Sequence, residues 1–547
     1  MKKIIEEFKN CLVVRRWKST LCWVALFFLL SVQVQWRTGA YQAEFGSEPD
    51  EAAHFVTGLV LRDYVAGHLP GNPVSYANNY YNHYPKVALG HWPPMFYLMQ
   101  SGWTLVFGVS RTSVLLLIAF LVALAATILF RVFVPEFGEL RSLAGVALLL
   151  AIPLVQQFTG AIMTEIPITF LLLLAAVCFI RFLENEKKFD AAAFGVVATI
   201  AILTKFSAYS LALLPALAVI LYRRFYLFKR FAFWLPALIV IGPASLWTAA
   251  TLKLASEGMT EEHAGWVFTH KAVPYYAGKL LLTAGVALVF LAIVGFIVKL
   301  LTPKKIKASY AVFGALLLSV FAMIVLVPAG FEARHLVPAL PAVVFFAWAG
   351  ADWIGDWLTR RGLNRKVAFG LVFGSAIILF GLETFRVTHK GYSGFGPIAL
   401  NLLHDPQAKN VSFLVASDAR GEGMFISEVA LHEKRPGHIV QRASKKLAGS
   451  GWNGGSYKMM YTVKPSDKTG LEYHNEDELL ALLRKDTIGY FILDDSLAEK
   501  NRPKHIVVLE NTIQAHPEAF TLEKTFPIER NGVVYPDGLK LYRKLAG

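Results

Sequence analysis

Apolar runs near 20–36, 111–132, 142–160, 164–181, 190–204, 206–222, 230–249, 277–300, 308–328, 334–358 and 367–385 constrain this chain more than any other feature. Several reach the ~20 residues that an α-helix needs to cross the hydrocarbon core of a bilayer, so residues 1–385 read as about 11 transmembrane helices. Within lipid every backbone polar group needs an internal partner, and for runs of this length only a helix supplies one. The stretch 93–109 is shorter and punctuated by glycine, which predicts an interfacial or half-inserted helix. With 55% hydrophobic residues the chain cannot be an ordinary soluble domain. Its net charge of +15 is therefore a matter of membrane sidedness, and no nucleic-acid partner is expected.

Lys and Arg in the connections assign that sidedness. With the N-terminus cytoplasmic, inside segments hold Lys2/Lys3/Lys9/Arg15/Arg16/Lys18, Arg131/Arg141, Arg181/Lys187/Lys188, Arg223/Arg224/Lys229/Arg230, Lys299/Lys304/Lys305/Lys307 and Arg360/Arg361/Arg365/Lys366. That is more than twice the number in the longer outside connections before residue 386, the bias of the positive-inside rule. The first apolar run lacks a small-residue cleavage site and reads as a retained helix. The predicted protein is thus a multi-pass protein of the cytoplasmic (inner) membrane, N-terminus inside and C-terminus outside. Residues 37–110 form its first outer loop. Residues 386–547 are polar, with strand-like runs at Val411-Ser-Phe-Leu-Val415 and Gly489-Tyr-Phe-Ile-Leu493, a helical stretch Glu476 to Lys485, and hairpin material over Thr521–Leu545. These predict a small extracytoplasmic α/β domain. The three cysteines, Cys11, Cys22 and Cys178, form no CxxC pair, so neither a zinc ribbon nor a disulfide framework is expected.

The candidate chemistry sits on the outer side. Glu48-Pro49-Asp50-Glu51-Ala-Ala-His54 places carboxylates just after the first span, where a general base would take a proton from an attacking hydroxyl. From Asp50 the sequence reads as helix, putting Asp50 and His54 on one face. The alternative is that Asp50 and Glu51 only begin that helix, where acidic residues suit the dipole. His83-Tyr84-Pro85-Lys86 and His91-Trp92-Pro93-Pro94 add imidazoles and a cation, suited to phosphate or sugar. A divalent metal is a candidate cofactor, with Glu48, His91 and His263 as candidate ligands. Lys205 (Leu203-Thr204-Lys205) and Arg334 are cations on the side that the positive-inside rule disfavours. A lipid-linked phosphate would account for them; so would snorkelling to the interface or pairing with Glu332 or with Glu165 of Thr164-Glu165-Ile-Pro167.

Taken together these elements resemble the GT-C superfamily of membrane glycosyltransferases, most closely its bacterial branch related to protein O-mannosyltransferases and the aminoarabinose transferase. The resemblance rests on Pro49-Asp50-Glu51-Ala-Ala-His54, His91-Trp92-Pro93-Pro94-Met-Phe-Tyr97, Leu203-Thr204-Lys205 and Arg334-His335-Leu-Val-Pro338-Ala-Leu-Pro341, in order and on one face over roughly residues 15–345. Trp92 inserted before the proline pair and His335 in place of the usual Tyr are departures. The resemblance implies a GT-C fold and a polyprenyl-phosphate sugar donor. It implies inverting transfer to an acceptor hydroxyl on a glycan, glycolipid or protein. Asp50 would act as base with Glu51 beside it, and Lys205 and Arg334 would meet the donor phosphate. A flippase of lipid-linked sugars and an O-antigen-type polymerase or ligase are the competing classes. The first is disfavoured because the ionisable residues lie at span ends with no repeated halves, the second because its major loop usually lies late in the chain.

Overall fold

The computed structural model describes residues 12–256, 265–447 and 473–545. Helix α1 (Leu12–Arg37) leads into the first loop, which carries α2 (Glu51–Ala66), α3 (Pro73–His83) and α4 (Met95–Phe107). At 13 residues, α4 is about 20 Å long, shorter than a straight span needs. The helical body continues through α5 (Arg111–Phe137), α6 (Glu139–Ala151), α7 (Pro153–Thr159), α8 (Glu165–Asn185), α9 (Lys188–Ile202) and, after a 3-10 segment Phe206–Ala212, α10 (Leu214–Tyr222). Then follow α11 (Phe231–Ser256), α12 (Trp266–Ala284), α13 (Val286–Phe296), α14 (Ala308–Leu326), α15 (Leu340–Arg360) and α16 (Arg365–Glu383).

Among the described residues 7 helices are long and apolar enough to cross a membrane, or up to 9 if each bent pair is one span. The expected number was about 11. Two expected spans are bent pairs: α6 and α7 meet at 72°, where Ile152 precedes Pro153, and α12 and α13 at 110°. The second break falls at Gly285, whose φ of +83° suits a residue without a Cβ. The other two, 190–204 and 206–222, fall short in length. Helix α9 has 15 residues, about 22 Å, and the following run opens with a 3-10 segment. These runs still pass between the two ends of the body. Asp190 pairs with Arg181 at the end of α8 (3.1 Å), whereas Lys205 pairs with Glu165 at its start (2.6 Å). The connection between the apolar runs 230–249 and 277–300 is partly helix, since His270 lies within α12, and the candidate ligand His263 lies outside the described residues.

The polar tail folds as expected, around a six-stranded sheet. In chain order it contains β1 (Tyr392–Ser393), α17 (Phe395–His404), β2 (Ser412–Ala416), α18 (Ala419–His432), β3 (Val440–Arg442), α19 (Ala443–Lys446), α20 (Glu476–Lys485), β4 (Ile488–Asp494), α21 (Lys504–Ala515), β5 (Phe520–Arg530) and β6 (Val533–Lys544). The strand order is β1-β5-β6-β4-β2-β3; β2 pairs in parallel with β3 and β4, and the remaining pairs are antiparallel. All of β2 is buried, which explains its unbroken apolar sequence. Phe413 and Val415 face α17 and α18, whereas Leu414 and Ala416 pack with Leu483 and Leu509 of α20 and α21.

The inner face of this sheet is continuous with the membrane body. One core joins Phe413 and Phe425 to Phe45 and Phe55 of the first loop and on to α5. Arg111, at the start of α5, pairs with Glu428 of α18 (2.9 Å). The tail therefore sits at the same end of the helices as the first loop.

Candidate functional site

Four chain breaks converge at that end. Pro49 stops the chain before α2 and leaves Asp50 at its N-cap, yet the Asp50 side chain makes no cap hydrogen bond. It turns to Arg334, whose Nη1 lies 3.0 Å from Asp50 Oδ2. Arg334 is held by the 3-10 turn Ala333–Ala339, shaped by Pro338. Glu165 is the first residue of α8. Lys205 occupies the extended residue between α9 and the 3-10 segment (φ −155°, ψ 134°), a turn tied to α4 by the Met95 N–H donating to Leu203 O at 2.8 Å.

These four side chains form one chain of charge. Lys205 Nζ meets Glu165 Oε1 at 2.6 Å, Arg334 Nε lies 3.8 Å from the same oxygen, and Glu332 also pairs with Arg334. The pairing alternative noted for the two cations is thus what holds them, and it brings Asp50, Glu165, Lys205 and Arg334 together. Lys205, Glu165, Arg334, His335, Ser207 and Ser210 line one small cavity of about 10 Å³, room for about one water. Two buried polar atoms on its walls, Glu165 Oε2 and Ser210 Oγ, have no hydrogen-bond partner among the described residues. Buried polar atoms are seldom left so, and here they mark a place shaped for a polar group. Ser210 and Tyr276, whose hydroxyl bonds His335 Nδ1 (2.8 Å), were not singled out by sequence; nothing in their local spacing signals them.

An aromatic and imidazole layer adjoins Asp50. His54 is buried one turn below it, its Nδ1 2.9 Å from the Tyr97 hydroxyl and its ring 4.3 Å from that of Trp92. Burial pulls the His54 imidazole down to about 4, against the pull of Asp50 and Glu165, so it is neutral at ordinary pH. The inserted Trp92 thereby carries His91 to the edge of this layer, the two rings 5.1 Å apart. Glu48 accepts from Gln157 (3.1 Å). Burial raises its carboxyl, with Arg334 and Arg420 opposing. Among the described residues no group of three or more His, Cys, Asp or Glu side chains comes together for a metal.

Three expected site residues lie elsewhere. Glu51, read as a second catalytic carboxylate, is fully buried. One oxygen accepts from Lys390 Nζ (2.5 Å) and the Ile162 N–H (3.0 Å), the other from the Ser47 N–H (2.8 Å). Its lone pairs are committed to holding the loop, so it is a structural group. His83 bonds Gly437 O (2.8 Å) and Tyr84 donates to Glu433 (2.6 Å). Both sit in the seam between the first loop and the tail, away from the cluster. In the same region Lys86 is buried, donating to Ala419 O (3.0 Å) and reaching Pro49 O (3.4 Å). It fastens the Asp50 corner to α18, a role its sequence position did not disclose.

The family model for dolichyl-phosphate-mannose-protein mannosyltransferase matches residues 91–247, a stretch that holds His91, Glu165 and Lys205. No curated protein matches the sequence. ArnT from Cupriavidus metallidurans, solved with undecaprenyl phosphate, is similar at a TM-score of 0.59 and 13% identity, over 96% of this chain and 98% of that one. Archaeal AglB from Archaeoglobus fulgidus, solved with an inhibitory peptide and a dolichol-phosphate, is similar at 0.56 and 13% identity, over 95% of this chain and 74% of that one. At this identity the likeness is one of fold.

Proposed function

From the premise that the chain is a multi-pass membrane protein with the GT-C fold of membrane glycosyltransferases, we propose that it transfers a sugar from a polyprenyl-phosphate donor to an acceptor hydroxyl, with inversion. The observation that carries this reading is that Asp50, Lys205 and Arg334, from three distant parts of the sequence, meet in one cluster of ion pairs through Glu165, with Lys205 and Arg334 lining its cavity. The two similar structures, solved with undecaprenyl phosphate and with a dolichol-phosphate, support the donor class.

Asp50 takes the proton of the acceptor hydroxyl as its oxygen attacks the anomeric carbon. The bond from that carbon to the phosphate oxygen breaks, and the phosphate leaves with the electron pair. Lys205 and Arg334 compensate the charge growing on it, an electrostatic role best filled by cations already in position. In the structure Arg334 is engaged with Asp50 and Lys205 with Glu165. A donor phosphate that draws Arg334 toward itself frees the Asp50 carboxylate to accept a proton, coupling donor binding to base action. The site faces the outer side, with the N-terminus cytoplasmic, a reading supported by the charge bias of the connections.

Asp50→Asn tests the base. Transfer from a polyprenyl-phosphate sugar should fall by about 10²- to 10⁴-fold while the variant extracts and elutes as the parent does. Comparable turnover would remove Asp50 from the role. Release of free polyprenyl phosphate by purified protein in detergent, where no vectorial transport exists, separates an enzyme from a flippase.

A further inference from the structure

The helices that build this site end in a second cavity at their far ends. Helices α5, α8 and α10 finish there and α14 begins there, enclosing a cleft of about 750 Å³. Glu165 and Arg181 are 16 positions apart on α8, which puts the cleft about 24 Å from the site. Helix α5 contributes Arg131 and Glu136 to it, and α8 contributes Arg181 and Glu184. The turn after α10 adds Arg223 and Arg224, and the segment before α14 adds Lys304, Lys305 and Lys307. Seven cations thus face two carboxylates.

The positive-inside bias accounts for basic residues on this side; it does not require them to converge between helix ends. Some are partly matched. Lys307 pairs with Glu136 (2.9 Å), Arg181 with Asp190 (3.1 Å) and Arg224 with Glu186 (3.7 Å). Arg223 donates to Pro303 O (3.2 Å). Among the described residues, Arg223, Lys304 and Lys305 make no ion pair. Helix α14 opens into the cleft through Ala308 and Ser309 with no side-chain cap, so its first N–H groups add donors for an anion. The same lining holds apolar Val132, Pro135, Val177 and Ile180, of which Val177 and Ile180 lie within about one turn of Arg181 on α8, toward the Glu165 end.

Cations beside apolar side chains, at the level where spanning helices end, match a phosphate that carries hydrocarbon. A free anion would have no use for the apolar side chains. We propose that this cleft binds the phosphate headgroup of an anionic phospholipid in the leaflet opposite the Asp50–Arg334 site. The proposal rests on the cleft alone and does not depend on the transferase reading.

The test uses the full chain and a variant carrying Arg223→Gln, Lys304→Gln and Lys305→Gln, none of which touches the site. Purified protein is titrated with phosphatidylglycerol, with phosphatidylcholine and with inorganic phosphate, following retained lipid by native mass spectrometry and thermal stability in parallel. The parent should retain phosphatidylglycerol in preference to phosphatidylcholine, and the variant should bind it about tenfold or more weakly with unchanged elution and turnover. Equal retention by parent and variant, or no preference over phosphatidylcholine, overturns the proposal. Stabilisation by inorganic phosphate but not by phosphatidylglycerol overturns the lipid assignment. A variant that does not fold is replaced by Lys304→Gln/Lys305→Gln, for which a weaker preference is still required.

Discussion

Asp50 holds a position with two physical uses. As the residue before α2 it could cap the helix, but its side chain leaves the helix N–H groups alone and goes to Arg334 (3.0 Å). The neighbouring Lys205–Glu165 pair separates holding from acting. Lys205→Met leaves Glu165, only 1% exposed, without its closest cation, and should cost about 3–5 kcal/mol. Adding Glu165→Gln should recover most of that stability, read as Tm, but not turnover; recovered turnover would mean that Lys205 only balances a charge. Lys86 yields a pH signature. Burial, reinforced by Arg442, lowers its ammonium to about 7, against Glu422 and Asp50. The folded state therefore releases this proton at lower pH than the unfolded state, whose lysine titrates near 10.4. Stability should rise between about pH 7 and pH 10, with a slope of up to about 1.4 kcal/mol per pH unit from this group. Lys86→Met should remove that rise in denaturation curves; an unchanged slope would exclude Lys86 as its source.

At the scale of elements, periodicity and punctuation were legible in the tail. The strand runs, the helix Glu476–Lys485 and the closing hairpin all form. The membrane helices were legible as apolar runs but not as shapes. Apolar composition does not say whether a run continues straight through Pro153 or Gly285, because the partner helices decide that. Close approach is the clearest example. A Cβ on Gly350 would stand 2.1 Å from Leu291 O, and one on Gly295 would stand 1.9 Å from Phe346 O, so α13 and α15 touch backbone to backbone. Gly350→Val should force them apart and cost about 1–3 kcal/mol or more. Gly370→Ala, which has open space around it, should not. Equal Tm losses in the two variants would refute the close contact.

Across the whole molecule, the tail and the first loop work as one support for the site. Glu44 of the first loop accepts from the N–H groups of Gly394, Phe395 and Gly396 (3.0, 3.0 and 2.8 Å), capping α17 from outside the tail. Burial, with Glu428 nearby, pushes its carboxyl up to about 7. Glu44→Ala would strand three buried donors, each worth about 1–3 kcal/mol when unsatisfied. Hydrogen exchange over 390–404 should quicken, and Lys390, which holds Glu51 (2.5 Å), should loosen with it. Exchange confined to the mutated loop would show that the tail stands independently. An alkaline phosphatase fused to the C-terminus should be active if this end faces outward. An inactive, well-expressed fusion would reverse the assigned topology.

By itself the sequence determined that the chain lives in a bilayer and that an α/β tail follows, because hydropathy and strand periodicity are local quantities. Only the tertiary structure decided that Asp50 belongs to the cluster while its neighbour Glu51 is bound into the scaffold. Adjacent residues at a helix start point in different directions, and the surrounding packing determines which one meets Arg334 and which one meets Lys390.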